Sequence, residues 1–292
     1  MPMKVLYVVN TFPCLTETFI ASEISDHVAH GLDVRILAMK SARIVTPQPQ
    51  ATQERPIKPS SLYSKFRNWL EQLQCQSLQR LMLAIRMQLL LLRIRQQIRK
   101  LDWVPDVIHA HFGYCGIFAS RLKMIHFPGS ALVVTFHGYD MGSLLVQYGK
   151  QVYRQLFATA DMLLAVTTGF CNHLRQLTHR KSSVHLHHTG IFLPDMSLMP
   201  TQEKRDSIRI ISIGRLFEKK GHKILIDAIH RLRSEIPEIK LRVDIIGSGP
   251  EWEKLNLHIR HLGLEDTVHM LGEMAHGKAL DCLRHSDIFV LP

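Results

Sequence analysis

The chain has 292 residues, 46 % apolar and 21 % charged, with a formal net charge of +11 when histidine is counted neutral. Such apolar content supports a sizeable core and excludes a disordered chain, and the length accommodates one or two domains of ordinary size. The basic balance favours anionic partners such as sugar nucleotides, anionic lipid headgroups or nucleic acid; charge alone does not choose among them, and solubility alone also accounts for it.

Residues 4–9, KVLYVV, are a short apolar run of the kind found in parallel strands covered on both faces, and read as a buried strand rather than an export signal. NTFPCLT follows as a loop. A helix is expected from about Glu17 to His30, with Ile20, Ile24 and Val28 on one stripe, Thr16 as N-cap and Gly31 closing the end. VRILAM (34–39) completes a strand–helix–strand unit. Residues 41–61, rich in Pro, Gln and Ser, read as a loop.

Residues 62–100 form a helical stretch in which Leu78, Leu81, Met82, Ile85, Leu89 and Leu92 share a face. Arg80, Arg86, Arg93, Arg95, Arg99 and Lys100 lie around that face or at its end. A basic amphipathic helix of this kind fits the surface of an anionic membrane. The four leucines at 89–92 favour instead a helix packed on the sheet of the first domain. No stretch reaches the roughly 18 uninterrupted apolar residues that a bilayer span requires.

Strands and helices then alternate: VIHAHFG (107–113), a helix over 114–125, ALVVTFHGYD (131–140), a helix near 148–159, MLLAVT (162–167), and a strand running into a loop over 184–193. The polar residues 195–207, with Pro200, read as a linker, which puts one domain at 1–200 and another at 201–292. The second domain restarts the pattern with strands at 208–214, 241–247, 268–272 and 288–292 and helices at 222–234, 251–262 and 276–285. The fold class is therefore α/β, two doubly wound parallel sheets of Rossmann type. The last strand, IFVLP, has nothing after it to cover it, so the second domain is expected to be incomplete. The five cysteines (Cys14, Cys75, Cys115, Cys171, Cys282) are scattered and include no CxxC. Neither a disulfide framework nor a zinc cluster is expected of them, and a cytoplasmic setting suits them.

Four places carry chemistry. GRLFEKKGH (214–222) follows a strand and opens a helix; Gly214 permits close approach, while Arg215 and Lys220 bring a planar fork and a point charge to a helix start, together a cradle for a diphosphate. A solvated basic turn is the plainer alternative. IIGSGPE (245–251) places Gly247 and Gly249 at the next strand end, where a base or ribose could approach; a tight strand-to-helix turn explains them equally. His109 and His111 have the i, i+2 spacing of two metal ligands on one strand face, but no third ligand of convincing spacing follows, so no metal is expected. His137, before Gly138 and near Asp140, can hydrogen-bond a hydroxyl or exchange a proton, and Glu17 in a first helical turn can accept from sugar hydroxyls or balance the helix dipole.

Taken together, FPCLTETFIASEI, VIHAHFG, VVTFHGYD, ISIGRLFEKKGH, VDIIGSGPEWEKL and SDIFVLP resemble, in order and spacing, the retaining GT-B glycosyltransferases of the family-4 type. More narrowly the chain resembles exopolysaccharide and colanic acid glycosyltransferases, and the resemblance covers nearly all of it. It implies two Rossmann-like domains facing a cleft and transfer from a UDP- or GDP-sugar to a lipid-linked or polysaccharide acceptor with retention. Arg215, Lys220 and Gly214 would bind the donor diphosphate, and Gly247 and Gly249 would line the nucleotide pocket. His137, by the transferring sugar, and Glu17 would be the catalytic residues, and Glu17, His111 and Asp140 would help shape the acceptor side. No cofactor or metal is implied, since the two cations neutralise the leaving group, and the setting is the cytoplasm or the inner face of its membrane.

The sequence departs from the family pattern at Thr16, where Ser is usual, and at Phe192, where Asp often stands. The family's pair of glutamates beyond the SDIFVLP strand is not in the chain. An inactive fragment serving as a membrane- or partner-binding module is therefore the alternative. A nicotinamide-dependent oxidoreductase is disfavoured, because only Asn10, Thr11, Phe12 and Pro13 follow the first strand where GxGxxG belongs. Nucleic acid is not an expected partner, since charge is its sole support.

Overall fold

Alternation along β1 (Lys4–Val9) decides the layering of the first unit. Val5, Tyr7 and Val9 pack with Ile20 and Ile24 of α1 (Thr18–Ala29), while Leu6 and Val8 point to the opposite face of the sheet. A strand buried on both faces has no polar side to spare, hence the unbroken apolar run. The computed structural model describes residues 1–14, 17–47, 76–100, 102–190 and 206–292, and divides the chain into two units, Met1–Phe192 and Leu193–Pro292.

The first unit holds a seven-stranded sheet. Besides β1 it contains β2 (Asp33–Ala38), β3 (Arg43–Val45), β4 (Val107–His111), β5 (Ala131–Phe136), β6 (Met162–Ala165) and β7 (Val184–Leu186). The spatial order is β3-β2-β1-β4-β5-β6-β7, with β3 antiparallel to β2 and every other pairing parallel. Order reverses between β1 and β4, and in open sheets ligands bind beyond the strand C-termini at such a switch point.

Gly31, at φ +83°, ends α1: its N–H donates to the Val28 carbonyl and that of Leu32 to the His27 carbonyl, the paired closure that left-handed backbone permits. The expected cap Thr16 lies outside the described residues; the N-cap position itself is taken by Glu17. Of the long basic helix, α2 (Gln76–Lys100) is described. Its Met87, Leu91, Ile94 and Ile98 are buried in the core under the sheet. Leu78, Leu81, Ile85, Leu89 and Leu92 are exposed. The helix thus has two apolar stripes, and the one picked out from the sequence is the outer one.

α3 (Gly113–His126) follows β4. The helix expected near 148–159 is broken into α4 (Ser143–Tyr148), a 3-10 turn and α5 (Arg154–Thr159), the break falling at Gly149 with φ +71°. An unexpected α6 (Thr168–Leu177) begins where the Thr167 hydroxyl accepts from the Phe170 N–H at 3.2 Å. The short β3 was also unexpected: three residues are too few for alternation to register.

The second unit is a four-stranded parallel sheet in the order β10-β9-β8-β11. Its strands are β8 (Ile208–Ile213), β9 (Leu241–Ile246), β10 (Val268–Gly272) and β11 (Ile288–Phe289), with helices α7 (His222–Glu235), α8 (Trp252–His261) and α9 (His276–Arg284). Leu225, Ile226 and Ile229 of α7 join Leu255 and Ile259 of α8 on Val243 and Ile245, and Ala279 of α9 covers the other face at Ile211 and Ile246. The fold is α/β throughout, as expected.

Candidate functional site

In the first unit the chemistry gathers at the C-terminal ends of β4 and β5. Register sets Tyr7 beside His109 across β1–β4, and His111 beside Thr135 across β4–β5. His109 Nε2 lies 2.8 Å from Thr135 Oγ1, and His111 Nδ1 lies 3.0 Å from His137 Nε2. From α1, Glu23 brings Oε1 to 3.2 Å from His109 Nδ1 and 3.4 Å from His111 Nε2, and accepts a 2.9 Å hydrogen bond from the Tyr7 hydroxyl. The same hydroxyl is 2.6 Å from His27 Nδ1.

These groups sit in a largely dry environment. Burial holds His111 neutral, and it pushes His137 down to about 3, with the neighbouring His111 adding to the effect. Burial works against ionisation of Glu23, but its contacts with His109 and His111 outweigh that and keep the carboxyl below the usual range. Phe19 and Phe112 flank the His137 ring at centroid distances of 4.8 and 4.7 Å. Phe112 itself adopts φ +72°, uncommon for a bulky side chain, at the turn between β4 and α3. Strain of this kind concentrates at functional sites.

Asp140 is fully buried. Its carboxylate accepts from the N–H groups of Gly113 (2.8 Å), Gly138 (2.8 Å) and His137 (3.1 Å). It therefore clasps the turn after β4 to the turn after β5. Burial raises its carboxyl and the three N–H groups oppose that rise. The resemblance put Asp140 and His111 on the acceptor side. Both are sealed from solvent, so they shape the site from behind and do not line it. Glu17 is half-buried at the N-cap position, makes no side-chain cap bond, and adds its charge to the burial that raises the Tyr114 hydroxyl.

In the second unit Gly214, Arg215 and Lys220 all fall on the connection from β8 into α7. The exposed Arg215 guanidinium stacks on the Phe217 ring at 4.5 Å. Salt bridges of this unit join other residues, and neither Arg215 nor Lys220 forms one among the described residues. Two cations without a salt-bridge partner among the described residues thus lie on the connection leading into a 14-residue helix, whose first N–H groups attract anions.

Gly247 and Gly249 lie at the end of β9, packed against the connection that follows β8. A Cβ on Gly247 would lie 1.9 Å from the Gly214 carbonyl oxygen, and one on Gly249 would lie 2.4 Å from that of Leu216. Both have positive φ, +148° and +159°. Their missing side chains make room for the neighbouring backbone, tied on by Leu216 N–H to Ser248 C=O at 2.9 Å. They fix the shape of the connection between β8 and α7 from beneath.

Sequence reasoning missed Glu23, Tyr7 and His27. A signal was present: Ile20, Glu23, Ile24 and His27 follow i, i+3, i+4, i+7, so two polar residues share the core-facing stripe of α1 and must find partners. Among groups of His, Cys, Asp and Glu in the described residues, Glu23, His109 and His111 have ligand atoms close enough to hold a metal ion, all within 4.8 Å of one another.

Residues 17–193 match the family model described as Glycosyltransferase Family 4, and residues 199–292 match that of the Glycosyl transferases group 1. The chain is 27 % identical over 310 residues to WcaL of Escherichia coli K12, a protein named as a colanic acid biosynthesis glycosyltransferase. It is 24 % identical over 308 residues to the amylovoran biosynthesis glycosyltransferase AmsK of Erwinia amylovora. Both alignments cover 99 % of this chain and 75 % of the relative. Among solved structures, Anabaena HepE in complex with UDP aligns with a TM-score of 0.61 at 17 % identity over 99 % of this chain and 73 % of that one. Sucrose-phosphate synthase of Thermosynechococcus elongatus aligns with a TM-score of 0.67 at 15 % identity over 100 % and 75 %. At such identities the likeness speaks for the fold.

Proposed function

The chain belongs to glycosyltransferase family 4 and is a glycosyltransferase of the GT-B fold, and from that premise we propose that it moves a sugar from a UDP- or GDP-sugar to a lipid-linked or polysaccharide acceptor, with retention, in exopolysaccharide synthesis. The observation that carries this reading is the pair of cations at the start of α7. As the bond between the anomeric carbon and the diphosphate oxygen breaks, negative charge builds on that oxygen. The Arg215 fork, the Lys220 ammonium and the helix N–H groups stabilise it, and with two fixed cations no metal ion is needed at the diphosphate.

In this reading His137 stands beside the transferring sugar and Glu17 accepts from sugar hydroxyls. The new bond forms between the acceptor oxygen and the anomeric carbon, and the acceptor proton passes to the leaving diphosphate oxygen, so no protein base is required. Calorimetric titration with a panel of UDP- and GDP-sugars tests the reading. Saturable binding to one nucleotide class is expected, and binding to none of them would overturn it.

A second observation favours contact with the cytoplasmic face of an anionic membrane. Five exposed leucine and isoleucine side chains run along α2, and Arg93, Arg95 and Arg99 are exposed toward its C-terminal end. Among the described residues no helix is long and apolar enough to cross a membrane, so α2 would lie on the surface, apolar stripe inward and arginines at the headgroups. Such placement would bring the enzyme to a lipid-linked acceptor.

A further inference from the structure

Beneath His137 the fold collects a carboxylate oxygen from α1 and two imidazole nitrogens from one face of β4. Glu23 Oε1 stands 3.2 Å from His109 Nδ1 and 3.4 Å from His111 Nε2. A tetrahedral zinc ion with bonds of about 2.0–2.2 Å holds neighbouring ligand atoms roughly 3.3–3.5 Å apart. Both separations lie near that edge length. A direct hydrogen bond describes the second contact poorly: His111 Nε2 is within ion-pair reach of the carboxylate, yet it is sealed from solvent and has no aligned hydrogen-bond partner.

The surroundings are those of a built site. Ligating imidazoles generally have their other ring nitrogen hydrogen-bonded, which fixes tautomer and orientation. Here His109 Nε2 is engaged by Thr135 Oγ1 at 2.8 Å and His111 Nδ1 by His137 Nε2 at 3.0 Å. The Tyr7 hydroxyl holds the Glu23 carboxylate in the same way at 2.9 Å. The ring centroids of His109 and His111 are 4.5 Å apart on one strand, and the three candidate ligand atoms all lie within 4.8 Å of one another.

We propose that Glu23, His109 and His111 bind one divalent transition-metal ion, for which a two-nitrogen, one-oxygen donor set of borderline softness makes zinc the natural occupant. Water reaching the partly exposed side of Glu23 completes the coordination. The ion pins α1 to β4. One consequence rests on the glycosyltransferase reading above: a neutral His111 ligated through Nε2 carries its proton on Nδ1. It then donates to His137 Nε2, which leaves His137 Nδ1 as an N–H donor for the sugar.

The test is metal analysis of the untagged chain purified without chelator, followed by Co²⁺ titration of the chelator-treated protein. One bound metal per chain and the visible absorption of tetrahedral Co²⁺ are expected. Glu23→Gln and His109→Asn should abolish both, exposed His285→Ala should change neither, and Thr135→Val should weaken Zn²⁺ binding about 10- to 100-fold by removing an outer hydrogen bond. Because Thr135→Val leaves every ligand in place, it keeps the test meaningful if the ligand variants fail to fold. No metal in the purified chain together with no Co²⁺ spectrum would overturn the proposal, as would uptake that survives His109→Asn. Metal uptake without nucleotide-sugar binding would leave the site standing and remove the proposed function; the reverse result would do the opposite.

Discussion

His111 Nδ1 and His137 Nε2 lie 3.0 Å apart, with the His111 ring fully buried and the His137 ring at the edge of the site. This contact couples His137, which we propose acts beside the transferring sugar, to strand β4, and His137 is further held between Phe19 and Phe112. A ring fixed by its neighbours costs no reorganisation as the reaction proceeds. His137→Ala should therefore lower the rate of donor turnover, read as nucleotide release, by roughly 10²-fold or more while changing donor KM little. An unchanged rate would remove His137 from the chemistry.

Asp140 offers a different outcome. It accepts from three backbone N–H groups in a dry setting, so Asp140→Ala leaves those donors without partners. At about 1–3 kcal/mol for each unsatisfied buried group, a loss of ~3 kcal/mol or more is expected. Chemical denaturation monitored by circular dichroism would show it as a lower midpoint with an unchanged slope. A variant within about 0.5 kcal/mol of wild type would contradict the clasp.

That distinction between shaping and touching marks where sequence reasoning stopped. The alternation of strands and helices, the helix closure at Gly31 and the basic connection after β8 were all legible, because periodicity and turn chemistry are local. The partnership of Glu23 with His109 and His111 was not, since 86 and 88 positions separate them and nothing in the spacing of the histidines points to α1. The two glycines of GSG were legible only in part, for a related reason. A glycine announces that something comes close but not what, and here it is the Gly214 and Leu216 backbone. For α2 the sequence displayed two apolar stripes, and only packing could say which was inside.

Away from the site, the link from Lys123 to Asp161 sets a pH dependence. Burial works to raise the Asp161 carboxyl, but the Lys123 ammonium at 2.6 Å and the Leu132 N–H at 2.7 Å outweigh it, and the group stays below the ordinary carboxylate value. A carboxyl depressed on folding stabilises above its unfolded pKa of about 3.9, and that contribution fades as pH falls through the folded value. Asp161 is about half exposed, which limits the effect to about 1 kcal/mol. Asp161→Asn should be less stable than wild type at pH 7, and the gap should close below about pH 4. A gap that persists in acid would show another origin.

Contact of α2 with a membrane predicts co-flotation with vesicles containing anionic lipid and not with neutral ones, weakening as salt is raised. Leu81→Glu combined with Leu89→Glu should reduce the bound fraction at least several-fold without lowering the melting temperature, because both positions are exposed. Equal flotation with neutral vesicles, or no effect of the double substitution, would contradict this orientation.

The account stands on Arg215 and Lys220 holding a diphosphate at the start of α7, and calorimetry of donor binding to Arg215→Ala and Lys220→Ala reads that directly. Each lost charge-assisted contact is worth about 1.5–3 kcal/mol, so each variant should bind the sugar nucleotide roughly 10- to 100-fold more weakly than wild type, with folding intact. Wild-type affinity in both variants would contradict it.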